Sequence, residues 1–426
     1  MKRIKIKGIE EEIFYHKLDN GLDVYLYTKE GFHNNYVTFT TKFGSIYNEF
    51  IPINEDKIIT VPKGVAHFLE HKVFIQKDGP QPSDFYAESG TLTNAYTTFK
   101  NTTYLFSGPD NLINNIKYLL DFVQEPYFTD ENVESEKGII TQEIHMCDDR
   151  PIDVLYEHIR KNCLHKNPFK DSIIGTVKDI NSITKEILNT CYYTFYNPSN
   201  MFLVVTGNFN KEEVLEEIIK NQEHKKISKM EKINIKTFKE PDSVVLKEET
   251  INMTTDVPKL AYTIKLSCNN FSIEKRKLNI YLYILFSILF DDSSKFNEIA
   301  KNNNIITNSV YVNILNCDTH ILVSLLNETF KYKELINMIK EELKNIKISE
   351  KDLERKKRVL ISNEIFSYEN VEIVNEMIID NIIFDNSVEE NIVDIINSLN
   401  IEEMTEIIDN IDFNNVSTII LKSDKE

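Results

Sequence analysis

An order of secondary elements that runs through the chain twice restricts its fold more than any other feature. Residues 12–18, 22–28 and 35–44 ("EIFYHKL", "LDVYLYT", "NYVTFTTKFG") alternate apolar and polar side chains with the period of strands. "DNG" at 19–21 marks a hairpin turn between the first two. A helix is predicted from Val65, because Pro62 and Gly64 break what precedes it, and a short one over 82–90. Strands 91–99 and 102–108 follow, then helices at 110–123, 129–147, 153–163 and 184–196, and a buried strand "MFLVVTG" at 201–207. Residues 221–240 are polar and lysine-rich and read as a linker. Beyond them the order resumes: strands 242–250 and 259–268, an apolar helix near 273–289, strands 305–314 and 319–326, helices from Lys331 to Asn410, and a last strand at 416–422. The halves share this order without obvious sequence identity. The fold class expected is α+β: two structurally related domains, 1–220 and 241–426, each an antiparallel sheet with helices mainly on one face. A chain of 426 residues also exceeds one ordinary core.

Charge and apolar runs narrow the functional classes. A net charge of −18 repels phosphates, which disfavours nucleic acid and anionic membranes. The same surface suits basic peptides, or serves solubility alone. The N-terminal "MKRIKIKGIEEEIFYHKL" lacks the apolar run of a signal peptide. "LNIYLYILFSILF" (278–290) is well short of the ~20 residues that span a membrane, and reads as a buried helix. Cys147, Cys163, Cys191, Cys268 and Cys317 form no Cys-x-x-Cys pair, which implies reduced thiols and a cytoplasmic location.

The stretch "GVAHFLEHKVF" (64–74) carries the chemistry. Positions i and i+4 share a helix face, so His67 and His71 point the same way with Glu70 on the edge of that face. Two imidazoles so placed can hold one Zn2+, which lowers the pKa of bound water toward ~7, while the glutamate takes a proton as the water attacks a carbonyl. The order His-x-x-Glu-His is the inverzincin motif. An exposed helix face with a His–Glu contact would carry the same letters, so the motif needs a third ligand. The candidate is Glu143, about seventy residues after His71. Glu136 precedes it by seven residues, two helical turns, and can support a ligand or the water from behind. His145 is a rival ligand that points elsewhere on a helix.

With these residues in hand the chain resembles the pitrilysin/insulinase family of zinc peptidases, which includes mitochondrial processing peptidase. His67, Glu70, His71, Glu136 and Glu143 match the family's motif in order and spacing. "GTLTNAYTTFKNTTYLFSG" (90–108) resembles its Asn-Ala strand and the strand that follows, and "YNPSNMFLVVTGNF" (196–209) its domain-closing segment. The resemblance is specific over residues 20–215 and lies at fold level beyond. Within the family the chain most resembles the zinc-motif subunit of small bacterial two-subunit members. The resemblance implies that "TLTNAYTTF" is an edge strand onto which a peptide adds as a further strand, with Asn94 and Ala95 beside the scissile bond.

One departure bears on partners. Family members complete in one chain carry, in a later domain, an Arg and a Tyr seven apart that contact substrate and oxyanion. Here the best register places Ala300 and Thr307 at those positions, and Tyr311 has Asn304 seven before it. The expectation is a heterodimer with a homologous subunit that carries the Arg/Tyr pair, closing around a chamber; a homodimer is the alternative. The function expected is a zinc metallo-endopeptidase (a hydrolase) acting on peptides or unfolded segments. A non-catalytic binding or assembly subunit of the same fold, or a dedicated maturase of one precursor peptide, are the other readings.

Overall fold

A computed structural model describes residues 1–423. Two compact units divide the chain: one comprises 1–144, 172–237 and 364–392, the other 145–171, 238–363 and the chain from 393 onward.

The first unit is built on a seven-stranded sheet. Its spatial order is Lys2–Ile6, Glu11–Lys17, Asp23–Thr28, Met201–Gly207, Asn35–Thr41, Thr102–Gly108 and Leu92–Thr97. Every pairing is antiparallel except that of Asp23–Thr28 with Met201–Gly207. At the expected hairpin Gly21 adopts φ 93°, a conformation glycine supplies without steric cost, and the Leu18 N–H donates to the Leu22 carbonyl. Side chains alternate between the faces. Val24, Leu26, Val37, Phe39, Leu203 and Val205 pack with Phe68, Leu69, Leu119, Leu120 and Phe195 from helices. Tyr25, Tyr27, Phe202 and Val204 point the other way, onto Val374, Ile378, Ile379 and Ile382 of the helix Val371–Asp385.

The second unit has a five-stranded sheet in the order Glu248–Asn252, Val416–Lys422, Lys259–Ser267, His320–Glu328, Tyr311–Cys317. Only its first pair is parallel. The apolar helix Lys275–Phe290 lies buried against Leu260, Ile264, Val323 and Leu325, as its sequence predicts. On the opposite face Leu155 and Ile159 of the helix Pro151–Cys163 meet Ala261, Leu326 and Ile419. Among the described residues no helix is long and apolar enough to cross a membrane.

The α+β class and the paired, mainly antiparallel sheets are as expected. Two features differ. A single cut at 221–240 does not separate the units, because each takes one helix from the other half of the chain to cover the second face of its sheet. The segment 221–240 is also not all linker. The helix Lys211–Lys225, capped by the Asn210 side chain, runs into it. Its later part lies beside residues 49–51, with Ile51 N–H donating to Asn234 O and Lys236 N–H to Glu49 O.

Candidate metal centre

The helix Val65–Val73 starts at Gly64, which sits at φ 80° with no room for a side chain: a Cβ would meet the Ile174 carbonyl oxygen at 2.4 Å. Val65, Phe68 and Leu69 bury one stripe of this helix, and His67 and His71 stack edge-to-face with ring centroids 4.6 Å apart. The glutamates come from the helix Asp130–Asp148. Its start is defined by reciprocal bonds: the Asn132 side chain accepts from Thr129 N–H, and the Thr129 hydroxyl from Asn132 N–H. Val133, Glu136, Ile140 and Ile144 form its buried face, so Glu136 is carried inward among apolar neighbours.

His67 Nε2 lies 3.6 Å from Glu143 Oε1, and His71 Nε2 lies 3.6 Å from Glu143 Oε2. The three donor atoms fall within 4.8 Å of one another, the one such group among the described residues. Four ligands at zinc distances sit about 3.4 Å apart along a tetrahedron's edge. Each imidazole lies 3.6 Å from one of the two Glu143 oxygens, and one donor atom from each residue falls within 4.8 Å of the others, so a small side-chain adjustment seats one ion. Two imidazole nitrogens and a carboxylate oxygen are also zinc's preferred donor types. The residues therefore fit the ion. His145 belongs to no such group.

Electrostatics favour the neutral, metal-binding form at His67 and the protonated form at His71. Burial, aided by His71, pushes His67 down to about 3, which leaves its ring neutral. Burial also lowers His71, but Glu136, Glu70 and Glu143 outweigh it and the net direction is upward. Glu136 Oε1 lies 3.0 Å from His71 Nδ1. A carboxylate only accepts, so a ring hydrogen is assigned to Nδ1, which leaves Nε2, on the Glu143 side, as the nitrogen that a neutral ring offers to a metal. Burial raises Glu136, yet the bond to His71 and the charge of Lys72 prevail and hold it below the ordinary carboxylate range.

Glu70 sits beside this set. Burial raises its carboxyl, while the Thr97 hydroxyl, donating to Oε2 at 2.6 Å, and the His71 charge work in the opposite direction. Thr97 ends the edge strand Leu92–Thr97, which pairs with Thr102–Gly108 and, among the described residues, with no other strand. Ala95 shares Thr97's face and packs on the core. Asn94 and Tyr96 point to the opposite face: the Tyr96 hydroxyl donates to Glu376 Oε2 at 2.6 Å, and the Asn94 side chain accepts from the Ala95 N–H at 2.9 Å.

Two contributors escape a reading of the motif. Thr97 gives no signal in a threonine-rich strand. Lys72 does give one: it continues the stripe Val65, Phe68, Leu69, where a lysine is out of place. Its Nζ donates to Asn132 O at 2.9 Å and lies 3.4 Å from Glu136 Oε2.

Comparison with known proteins agrees with this geometry. Residues 60–177 match Insulinase (Peptidase family M16), and residues 182–360 match the Peptidase M16 inactive domain. The chain is 42% identical over 296 residues to the uncharacterized zinc protease YmfH of Bacillus subtilis (strain 168), 69% of each chain. It shares 26% identity over 174 residues with the mitochondrial-processing peptidase subunit beta of Dictyostelium discoideum, 40% of this chain and 37% of that one. Its fold matches an M16-like peptidase structure from Alicyclobacillus acidocaldarius with TM-score 0.91 and 27% identity, covering 98% of this chain and 100% of the other. The chain belongs to the insulinase family of peptidases, family M16.

Proposed function

We propose that this protein is a zinc-dependent metallo-endopeptidase that hydrolyses peptides or unfolded segments, with His67, His71 and Glu143 as metal ligands. The observation that carries the reading is the convergence of those three donors next to a half-buried Glu70 hydrogen-bonded by Thr97. Zinc bound there would supply Lewis-acid chemistry, acidifying a water and polarising a peptide carbonyl. Glu70 accepts the proton of the attacking water and returns it to the leaving amine. Thr97 holds the Glu70 carboxylate in place, and Glu136 orients His71.

The edge strand suits an extended substrate, whose main chain would pair with it and bring its carbonyl past Glu70. An incoming peptide that uses the Ala95 N–H displaces the Asn94 side chain, which then becomes free to bond the peptide. Ala300 is buried in the helix Lys295–Asn302, and Thr307 precedes the strand that begins at Tyr311. On this reading the oxyanion donor and substrate anchor come from a homologous partner subunit, the two closing around a chamber in the cytoplasm.

Metal analysis with a Glu70→Gln variant tests the chemistry. One zinc per chain, kept by the variant while kcat falls by about 10²–10⁴, is the expected result. A metal-free protein or an unimpaired variant overturns it, and a binding or assembly role then stands. Full activity of the isolated chain, with no gain from any co-purifying subunit, removes the partner.

A further inference from the structure

Lys72 follows His71 directly, yet it is only 1% exposed. Lysine is almost never buried to this degree without a partner. Both of its acceptors lie at the start of the helix Asp130–Asp148: the Asn132 carbonyl at 2.9 Å and Glu136 Oε2 at 3.4 Å. The other oxygen of Glu136 takes the His71 ring at 3.0 Å. Glu136 is itself buried. Its two oxygens are thus divided between an ammonium on one residue of the motif helix and an imidazole on the residue before it.

This arrangement removes the freedom that a lone Glu136–His71 bond would leave. With Oε1 alone engaged, the carboxylate could swing about its side-chain torsions and the ring could turn with it. With Oε2 held as well, the plane of the carboxylate is set, and with it the direction in which His71 presents Nε2. The bond to Asn132 O works on the backbone. It ties the end of the motif helix to the first turns of the helix that carries Glu143, so Lys72 sets the separation of the elements from which the three ligands come.

We propose that Lys72 is a positioning residue of the metal centre, acting through Glu136 to orient His71 and through Asn132 to hold the two ligand-bearing helices in register. The inference rests on the zinc reading above but concerns affinity for the ion rather than the reaction. Lys72 touches neither substrate nor reacting atoms.

The test is zinc affinity of the full chain, measured by competition with a chromophoric chelator for wild type, Lys72→Met, Glu136→Gln and the double variant. Lys72→Met is expected to weaken zinc binding 10–100-fold while stoichiometry at saturation stays at one. In the Glu136→Gln background the same change is expected to cost several-fold less than in wild type, because the route to His71 is already cut and only the tie to Asn132 O remains. A cobalt-substituted Lys72→Met protein should show an altered visible spectrum, which a loss of packing remote from the ligands would leave unchanged. Where Lys72→Met fails to fold, Lys72→Gln, which keeps a donor for Asn132 O but no charge, carries the same comparison. Unchanged affinity in the single variant, or an equal loss in both backgrounds, overturns the proposal while leaving the peptidase reading intact. A wild-type chain that binds no zinc overturns both.

Discussion

Thr97 and Glu70 lie 27 positions apart and meet at 2.6 Å. A hydrogen bond to a carboxylate is worth about 1.5–3 kcal/mol, and this one restrains the group that receives the proton in the proposed reaction. Thr97→Val is expected to lower kcat by about tenfold with zinc content and KM unchanged, and Thr97→Ser to restore it; steady-state kinetics on a quenched peptide checks both. The shared face of His67 and His71 was legible because residues at i and i+4 lie together wherever that helix sits. The placement of Thr97 beside Glu70 was not, and Lys72 showed only as a lysine out of place on an apolar stripe, because the partner of each comes from another element. The His67 Nδ1 atom, buried without a hydrogen-bond partner, is equally invisible to a one-dimensional reading.

At the scale of elements, the helix Pro151–Cys163 returns through a loop whose N–H groups at His165, Lys166 and Asn167 all donate to the Glu240 carboxylate. Lys265, from the central strand of the second sheet, donates to the same group at 2.7 Å. Burial pushes Glu240 up, but the Lys265 bond and the three N–H groups overcome it and hold it at about 2. The folded value lies below the ordinary 4.5, so the group stabilises the fold above pH ~4.5 and that contribution drains away as pH falls toward 2. The difference corresponds to at most about 3–4 kcal/mol. Glu240→Gln is expected to lower the urea midpoint at pH 7 and to flatten its dependence on pH between about 4.5 and 2. The helix Lys211–Lys225 shows how an element escapes detection. Its buried face runs Val214, Leu215, Ile218 and ends on Gln222, a polar side chain satisfied by Gln124 and Asn20, so the apolar period fades where the helix continues.

At the scale of the whole molecule, the sheet faces decide which segments fold together. In the first unit Tyr25, Tyr27, Phe202 and Val204 are covered by the helix Val371–Asp385, whose Asn375 donates to Tyr36 O and accepts from the Thr38 hydroxyl. A fragment of residues 1–237 leaves that face bare. It is expected to aggregate or to bind a hydrophobic dye without native near-ultraviolet dichroism, and co-expression of 364–392 is expected to restore a folded complex. A monomeric, native-like 1–237 fragment would overturn this. The repeated order of elements, most strand positions and the spacing of His67 and His71 were determined by the sequence itself, because turn chemistry, side-chain periodicity and i to i+4 geometry act over a few residues. Which helix covers which sheet, the anchoring of Glu136 by Lys72 and the pairing of Thr97 with Glu70 were decided only by the tertiary structure. Each depends on surfaces and polar groups, distant in the chain, that satisfy one another only when they are buried together.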